Sequence, residues 1–143
     1  MLFRSLSTTI RRPLTVEVAP SHGDPGGAPV RVGGRRMVVE SFRFPPGFDP
    51  SGLPVFNTNN LVIDLEILGE RYPLTWLYVE KDVESRTAVQ LERIVSELSA
   101  FVPTTYLLVP REGPRSRFVP VKTPQDLAAA RSLLRELVAT RLY

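Results

Sequence analysis

The sequence predicts an α/β protein, with a small sheet covered by helices. Leu74-Thr-Trp-Leu-Tyr-Val79 and Thr105-Tyr-Leu-Leu-Val109 are near-continuous apolar runs of strand length, which suits strands buried on both faces. Stretches with helical spacing follow each run, and strands alternating with helices imply a sheet with helices on its faces. Only three or four central strands and a hairpin are available, so the sheet reads as part of a larger one.

The elements are justified in order. Met1 to Arg12 carries arginine, serine and threonine without an acid, weakly like a mitochondrial presequence or the ragged start of a partial reading frame. Leu14–Val18 is β-branched and reads as a strand, and Pro20–Pro29 as a loop rich in glycine and proline. Val30–Val32, Gly33-Gly34 and Met37–Glu40 read as a hairpin around a glycine turn. Pro45–Pro54 is irregular. Asn59 or Asn60 caps a helix over Leu61–Leu68, in which Leu61, Leu65 and Leu68 share a face. The β-branched Val62 and Ile63 make a strand the competing reading there. A helix from about Ala88 to Phe101 places Leu91, Ile94, Val95, Leu98 and Phe101 at helical spacing. Thr123 as cap, Pro124 at the first helical position and Asp126 in the first turn open a last helix to about Leu142. Its inward residues are Leu127, Leu134, Leu137 and Val138.

Composition narrows the function. At 143 residues, 43% hydrophobic and 23% charged, the chain is one ordinary globular domain or a piece of one. No apolar run approaches the roughly 18 residues of a membrane span. The absence of cysteine excludes disulfides and thiolate metal sites. The single histidine, His22, lies in a Pro/Gly/Asp-rich loop and reads as a solvated loop residue. Net charge is +3, but the basic residues are scattered without interleaved aromatics, which argues against nucleic-acid binding. Sixteen of the eighteen basic residues are arginine, so Lys81 and Lys122 are candidates for roles arginine cannot fill.

Several groups could carry chemistry. Asn57, Asn59 and Asn60 are a poor choice for a core, while amides that donate and accept at once suit the adjacent hydroxyls of a sugar. A turn and helix cap would account for two of the three. Glu40 ends the hairpin beside Phe42 and Phe44, and a carboxylate next to aromatics can hold a hydroxyl pair. Gln90 and Glu92 open the amphipathic stretch, where they reach a ligand or serve the helix dipole. Lys122 stands beside a helix N-terminus, where free N–H groups and an ammonium would clamp a phosphate. Arg115 and Arg117 lie on the same approach, as ligand contacts or as a solvated basic loop. No phosphate-binding Gly-x-x-x-x-Gly-Lys motif, nucleophile elbow or paired metal carboxylates are present in the sequence.

The order Phe56-Asn-Thr-Asn-Asn-Leu61, Gln90-Leu91-Glu92 and Pro114-Arg-Ser-Arg-Phe-Val-Pro-Val-Lys-Thr123, then Asp126-Leu127, resembles the UTP–glucose-1-phosphate uridylyltransferase family. That family's pattern reads FNTNNLW, QLE and PRSRFxPVKTxxDL. Gly26-Gly27 and Val39-Glu40, with Pro45-Pro46 beyond, resemble its GG and VE segments. The resemblance begins near Val16 and runs nearly to the end.

The resemblance implies a partial GT-A-like (nucleotide-diphospho-sugar transferase) α/β fold: a mixed sheet with flanking helices and an N-terminal hairpin. Residues 1–13 would be an irregular N-terminal segment, and 14–143 the sugar-side and C-terminal part of the domain. The implied reaction joins UTP and glucose 1-phosphate into UDP-glucose and pyrophosphate, with magnesium, in the cytoplasm. By the resemblance Asn59 and Glu40 would contact glucose hydroxyls, Gln90 and Glu92 would sit beside the sugar pocket and Lys122 would meet the phosphates, with Asn57, Asn60, Arg115 and Arg117 as further substrate-binding candidates. Pro25 replaces the family's lysine before the double glycine, Val62 its tryptophan and Arg93 its threonine after QLE. The family's glycine-rich LxGGxGTxxG segment and magnesium-binding aspartate segment have no counterpart in this sequence. The expectation is a part of such an enzyme, inactive alone unless a missing N-terminal half, or self-association, completes it. The alternatives are an enzyme for another sugar 1-phosphate, such as N-acetylglucosamine 1-phosphate, and a non-catalytic interaction module that keeps the fold.

Overall fold

The computed structural model describes residues 12–24 and 26–141. The expectations for Met1–Arg11 and for Pro25 lie outside these residues. The organising element is β1 (Leu14–Pro20), the middle strand of a three-stranded sheet. It pairs antiparallel with β4 (Val55–Ile63) and parallel with β7 (Thr104–Leu108). Alternation sorts its side chains. Leu14, Val16 and Val18 pack with Val38 and Leu98 on one face, while Ala19 packs with Phe56 and Val109 in a second cluster. Full burial of side chains of this kind is worth about 1.5–3 kcal/mol each, and Leu14 and Val16 are fully buried.

The expected hairpin is present as β2 (Ala28–Val32) and β3 (Arg35–Val39). Its turn is Gly33-Gly34 with φ of +54° and +82°, the left-handed pair that a two-residue hairpin of matching twist requires. The hairpin is docked by the Val38 N–H, which donates to Ser99 Oγ at 2.8 Å.

The helix expected at Leu61–Leu68 is instead the end of β4, followed by a short 3-10 turn at Leu65–Gly69. The ladder to β1 satisfies the backbone over Val62 and Ile63 and prevails over the leucine spacing. The helix expected at Ala88–Phe101 is instead β6 (Arg86–Arg93) and a 3-10 turn at Val95–Ala100. Thr87, Val89 and Leu91 lie on one side of a ribbon that β6 forms with β5 (Trp76–Val83), so the helical spacing there is coincidental. Of the five residues expected on the helix face, only Leu98 is buried. The run Leu74–Val79 is not buried on both faces either. Leu77 and Val79 are half-buried while Trp76 and Tyr78 are exposed, because this part of the chain is a two-stranded ribbon and not a sheet interior. Arg93 lies 4.0 Å over the Trp76 ring and shields part of it.

The last helix, α1 (Pro124–Arg141), is the α-helix among the described residues, in place of the several flanking helices expected. Its start follows the expected chemistry. Asp126 N donates to Thr123 Oγ1 at 3.1 Å, and Thr123 N to Asp126 Oδ2 at 2.8 Å, a reciprocal cap. Leu137 is buried and Leu134 half-buried, but Leu127 and Val138 are exposed. The inward stripe is narrower than expected because α1 covers its neighbours along one edge, packing against the turn Gly113–Arg115.

Three charge contacts fasten the loops. The Arg111 guanidinium forks onto both oxygens of Asp24 (2.5 and 2.9 Å) and lies 5.0 Å over the Phe56 ring. Glu97 accepts from Arg43 Nη1 at 2.8 Å and from both the N–H and the hydroxyl of Thr75 at 2.7 Å. Glu17, whose side chain is only 4% exposed, accepts from Arg117 at 2.5 Å and from Asn60 Nδ2 at 3.2 Å.

Burial alone would raise the pKa values of Asp24 and Glu97, but hydrogen bonds and the adjacent guanidiniums outweigh it, and both are lowered from 3.8 and 4.5. A lowered folded-state pKa gives stability that is complete above the unfolded value and is lost as pH falls through the folded one. The melting temperature is therefore expected to hold near neutrality and to fall below about pH 4. Asp24→Asn and Glu97→Gln, melted from pH 7 to 3, should each flatten that acid limb; a limb unchanged in both variants would show that other groups cause it. Glu17→Ala strands the Arg117 guanidinium and the Asn60 amide, and urea unfolding should show a loss of about 2 kcal/mol, with Glu17→Gln losing less.

Candidate functional site

The asparagine cluster is a bulge. Val16 pairs with Leu61 and Val18 with Asn57, so Glu17 on β1 faces the three residues Thr58, Asn59 and Asn60 on β4. Extra residues in one strand bend it and re-aim side chains. The sequence suits this distortion. Asn59 takes φ of +63°, a left-handed conformation that asparagine tolerates better than most residues. Asn57 Oδ1 accepts the Asn59 N–H at 3.0 Å and its Nδ2 donates to Asn59 Oδ1 at 2.8 Å, replacing bonds the ladder lost. Thr58 Oγ1 donates to the Glu17 carbonyl at 3.1 Å and Asn60 Nδ2 to the Glu17 carboxylate. The backbone of Asn57 is fixed as well, its N–H donating to Gly27 O at 2.7 Å.

Asn59 lines two cavities. The first, about 720 Å³, also presents Glu40, Glu92 and Ser96, with Phe42, Leu77 and Tyr78 as apolar walls. Glu40 is held by Ser96 Oγ, which donates to Oε1 at 2.9 Å. A Cβ on Gly27 would stand 2.7 Å from Glu40 Oε2, so the glycine is what lets the carboxylate lie against the backbone there. The second cavity, about 560 Å³, presents Asn57, Asn59 and Lys122, with Asp24, Asp126 and Phe118.

The structure thus brings Glu40, Asn59 and Glu92 to one cavity, and Asn57, Asn59 and Lys122 to the other. It does not bring the remaining candidates to either lining. Asn60 bonds Glu17 and Gln90 accepts from Lys81 at 2.6 Å on the ribbon. Arg117 is committed to Glu17, and Arg115 is exposed on the turn Gly113–Arg115. Glu92 also pairs with Lys81 at 3.5 Å, which gives the second lysine a structural task. Several N–H groups at the start of α1 are already used: Asp126 Oδ2 accepts from Lys122 N at 3.0 Å and from Thr123 N, and Asp126 N donates to Thr123 Oγ1. The backbone bonds to that carboxylate, led by the one from Lys122, lower the Asp126 pKa. The cation that lines the cavity here is Lys122. Sequence reasoning missed Ser96 and Asp24. Ser96 is hidden inside an expected helix, whereas Asp24 could be sought as the partner of an arginine.

Among the described residues no group of three or more acids or histidines converges as a metal would need. Asp24 is forked by Arg111 and Asp126 caps α1, so the donors in the second cavity do not fit a magnesium ion, and no step is routed through one.

Comparisons with known proteins agree with the motifs. A UTP–glucose-1-phosphate uridylyltransferase of Encephalitozoon cuniculi is 34% identical over 85 residues, covering 56% of this chain and 17% of that protein. The solved UDP-glucose phosphorylase of Trypanosoma brucei matches with a TM-score of 0.61 and 28% identity, over 91% of this chain and 33% of its own. A protein of Entamoeba histolytica assigned as a UDP-N-acetylglucosamine pyrophosphorylase shares the fold at a TM-score of 0.58 and 13% identity, over 93% of this chain and 39% of its own. The chain therefore spans about a third or less of the first two. The profile of the family described as UTP–glucose-1-phosphate uridylyltransferase matches residues 24–143, and the chain belongs to that family.

Proposed function

We propose that this chain forms the sugar side of an enzyme that makes UDP-glucose and pyrophosphate from UTP and glucose 1-phosphate. The observation that carries this reading is the position of Asn59, on the lining of both cavities, with Glu40 on one side and Lys122 on the other. A hexose 1-phosphate has the matching division: hydroxyls for an amide and a carboxylate, and a phosphate for an ammonium. Family membership and the Encephalitozoon and Trypanosoma relatives support glucose as the sugar.

In this reading the chain's residues position and neutralise. Glu40, oriented by Ser96, accepts from sugar hydroxyls, and Asn59 fixes the ring from the bulge. A sugar-phosphate oxygen attacks the α-phosphorus of UTP in line, the bond to the β-phosphate oxygen breaks, and pyrophosphate leaves with that electron pair. Lys122 offsets charge that grows on the transferring phosphoryl oxygens, and no covalent enzyme intermediate is needed. The nucleotide and its metal are held by another part of the enzyme, so the 143-residue chain is inactive alone.

Three outcomes test this. With the nucleotide half supplied in trans, Lys122→Ala should lower UDP-glucose formation by about 10²–10³-fold; an unchanged rate would leave the chain as a non-catalytic module. UDP-glucose formed by the purified chain alone would overturn its dependence on a second part. A thermal-shift series with glucose 1-phosphate and N-acetylglucosamine 1-phosphate should favour glucose, and preference for the N-acetyl sugar would reassign the substrate.

A further inference from the structure

Three of the arginines fall within Arg31–Arg36, on a hairpin without an acid between Ala28 and Val39. Arg31 and Arg36 are direct cross-strand partners, an arrangement in which like charges repel. Arg35 adds a third guanidinium to the same cavity, which is about 590 Å³ and also lined by Phe101, Val102 and Tyr106. Among the described residues no carboxylate lines it. The acids that form ion pairs among the described residues are matched to other cations: Asp24 to Arg111, Glu17 to Arg117, Glu92 to Lys81, Glu97 to Arg43 and Glu112 to His22.

The guanidiniums are also held in place. Arg31 Nη1 donates to Gly34 O at 2.8 Å, Arg35 Nη1 donates to Ala100 O, and Arg36 lies 5.9 Å over the Tyr106 ring. A guanidinium has five N–H donors, so one bond to a carbonyl orients the group and leaves the others available. Three oriented forks around one concavity match an anion with several oxygens and more than one charge. The concavity is walled by Phe101, Val102 and Pro103, and the remaining basic residues are spread along the sequence, which favours a small ligand over a polymer.

We propose that this cavity binds a small oligophosphate anion. It shares no lining residue with the two cavities that meet at Asn59, so it is a separate site from the one that would take the sugar phosphate.

Inorganic pyrophosphate is the probe. Titrated calorimetrically into the 143-residue chain, it should bind, and the double variant Arg31→Gln/Arg36→Gln should weaken binding at least tenfold while Lys122→Ala leaves it unchanged. The double variant, relieved of repulsion, should melt no lower than the unmodified chain without ligand and should lose the stabilisation that pyrophosphate gives. Amide-shift mapping on the unmodified chain provides a test that needs no variant: shifts should centre on residues 30–37 and 99–106. Absence of binding, loss of binding in Lys122→Ala, equal weakening in both variants, or shifts centred on residues 120–127 would each overturn the proposal. The Lys122 arm separates this site from the proposed catalytic one, since either can fail while the other stands. UTP titrated in the same way shows whether free or nucleotide-borne oligophosphate is the better ligand; loss of either with the arginines supports the site.

Discussion

The carboxylate of Glu17 sits on a strand buried on both sides, and much of the rest depends on how that charge is satisfied. A buried ion is costly unless it is paired and fully hydrogen-bonded. Here Arg117 supplies the charge and Asn60 a second donor, so two segments far apart in sequence are drawn to one point of β1. One carries the asparagine bulge and the other leads into Lys122. The same residue's carbonyl accepts from Thr58, so side chain and backbone of Glu17 together hold the distorted part of β4. Both halves of the candidate site are therefore referenced to one residue that touches neither cavity.

Charge is distributed according to the chemistry each region could perform. The cavity with Glu40 and Glu92 collects acceptors against apolar walls, which suits hydroxyls. The cavity with Lys122 is also lined by Asp24 and Asp126, whose carboxylates are engaged by Arg111 and by the start of α1. Several arginines are structural: Arg43, Arg111 and Arg117 each bridge a loop to an acid. Three more lie on the β2–β3 hairpin, where Arg31 and Arg36 oppose each other across the ladder.

The sequence was most legible where local chemistry decides the outcome. The Gly33-Gly34 turn, the strand at Leu14 and the Thr123–Asp126 cap need no distant partner to be recognised. It misled where apolar spacing fitted two periods. Leu61, Leu65 and Leu68 describe a helical stripe, yet β1 offers Val62 and Ile63 a ladder. Leu91 to Phe101 also reads as helical, yet a two-residue turn at Glu84 and Ser85, both at positive φ, folds β6 back on β5 without a glycine to announce it. Among the residues that line the two cavities, Glu40, Asn59 and Lys122 could be named because unusual residue types stood in unusual places. Arg117 could not be separated from a ligand contact, since its partner Glu17 lies 100 residues away in the chain.

The parallel pairing of β1 with β7 bears on how the chain reaches this state. The central strand precedes both of its neighbours in the chain and gains the second only from Thr104–Leu108. Closing so long a loop is entropically unfavourable before contacts offset it, and non-local pairing of this kind slows folding. Until then the apolar face of Leu14, Val16 and Val18 is open along one edge. The sheet is thus completed only when two strands far apart in the chain meet, and β1 is the part of it that waits for a distant partner.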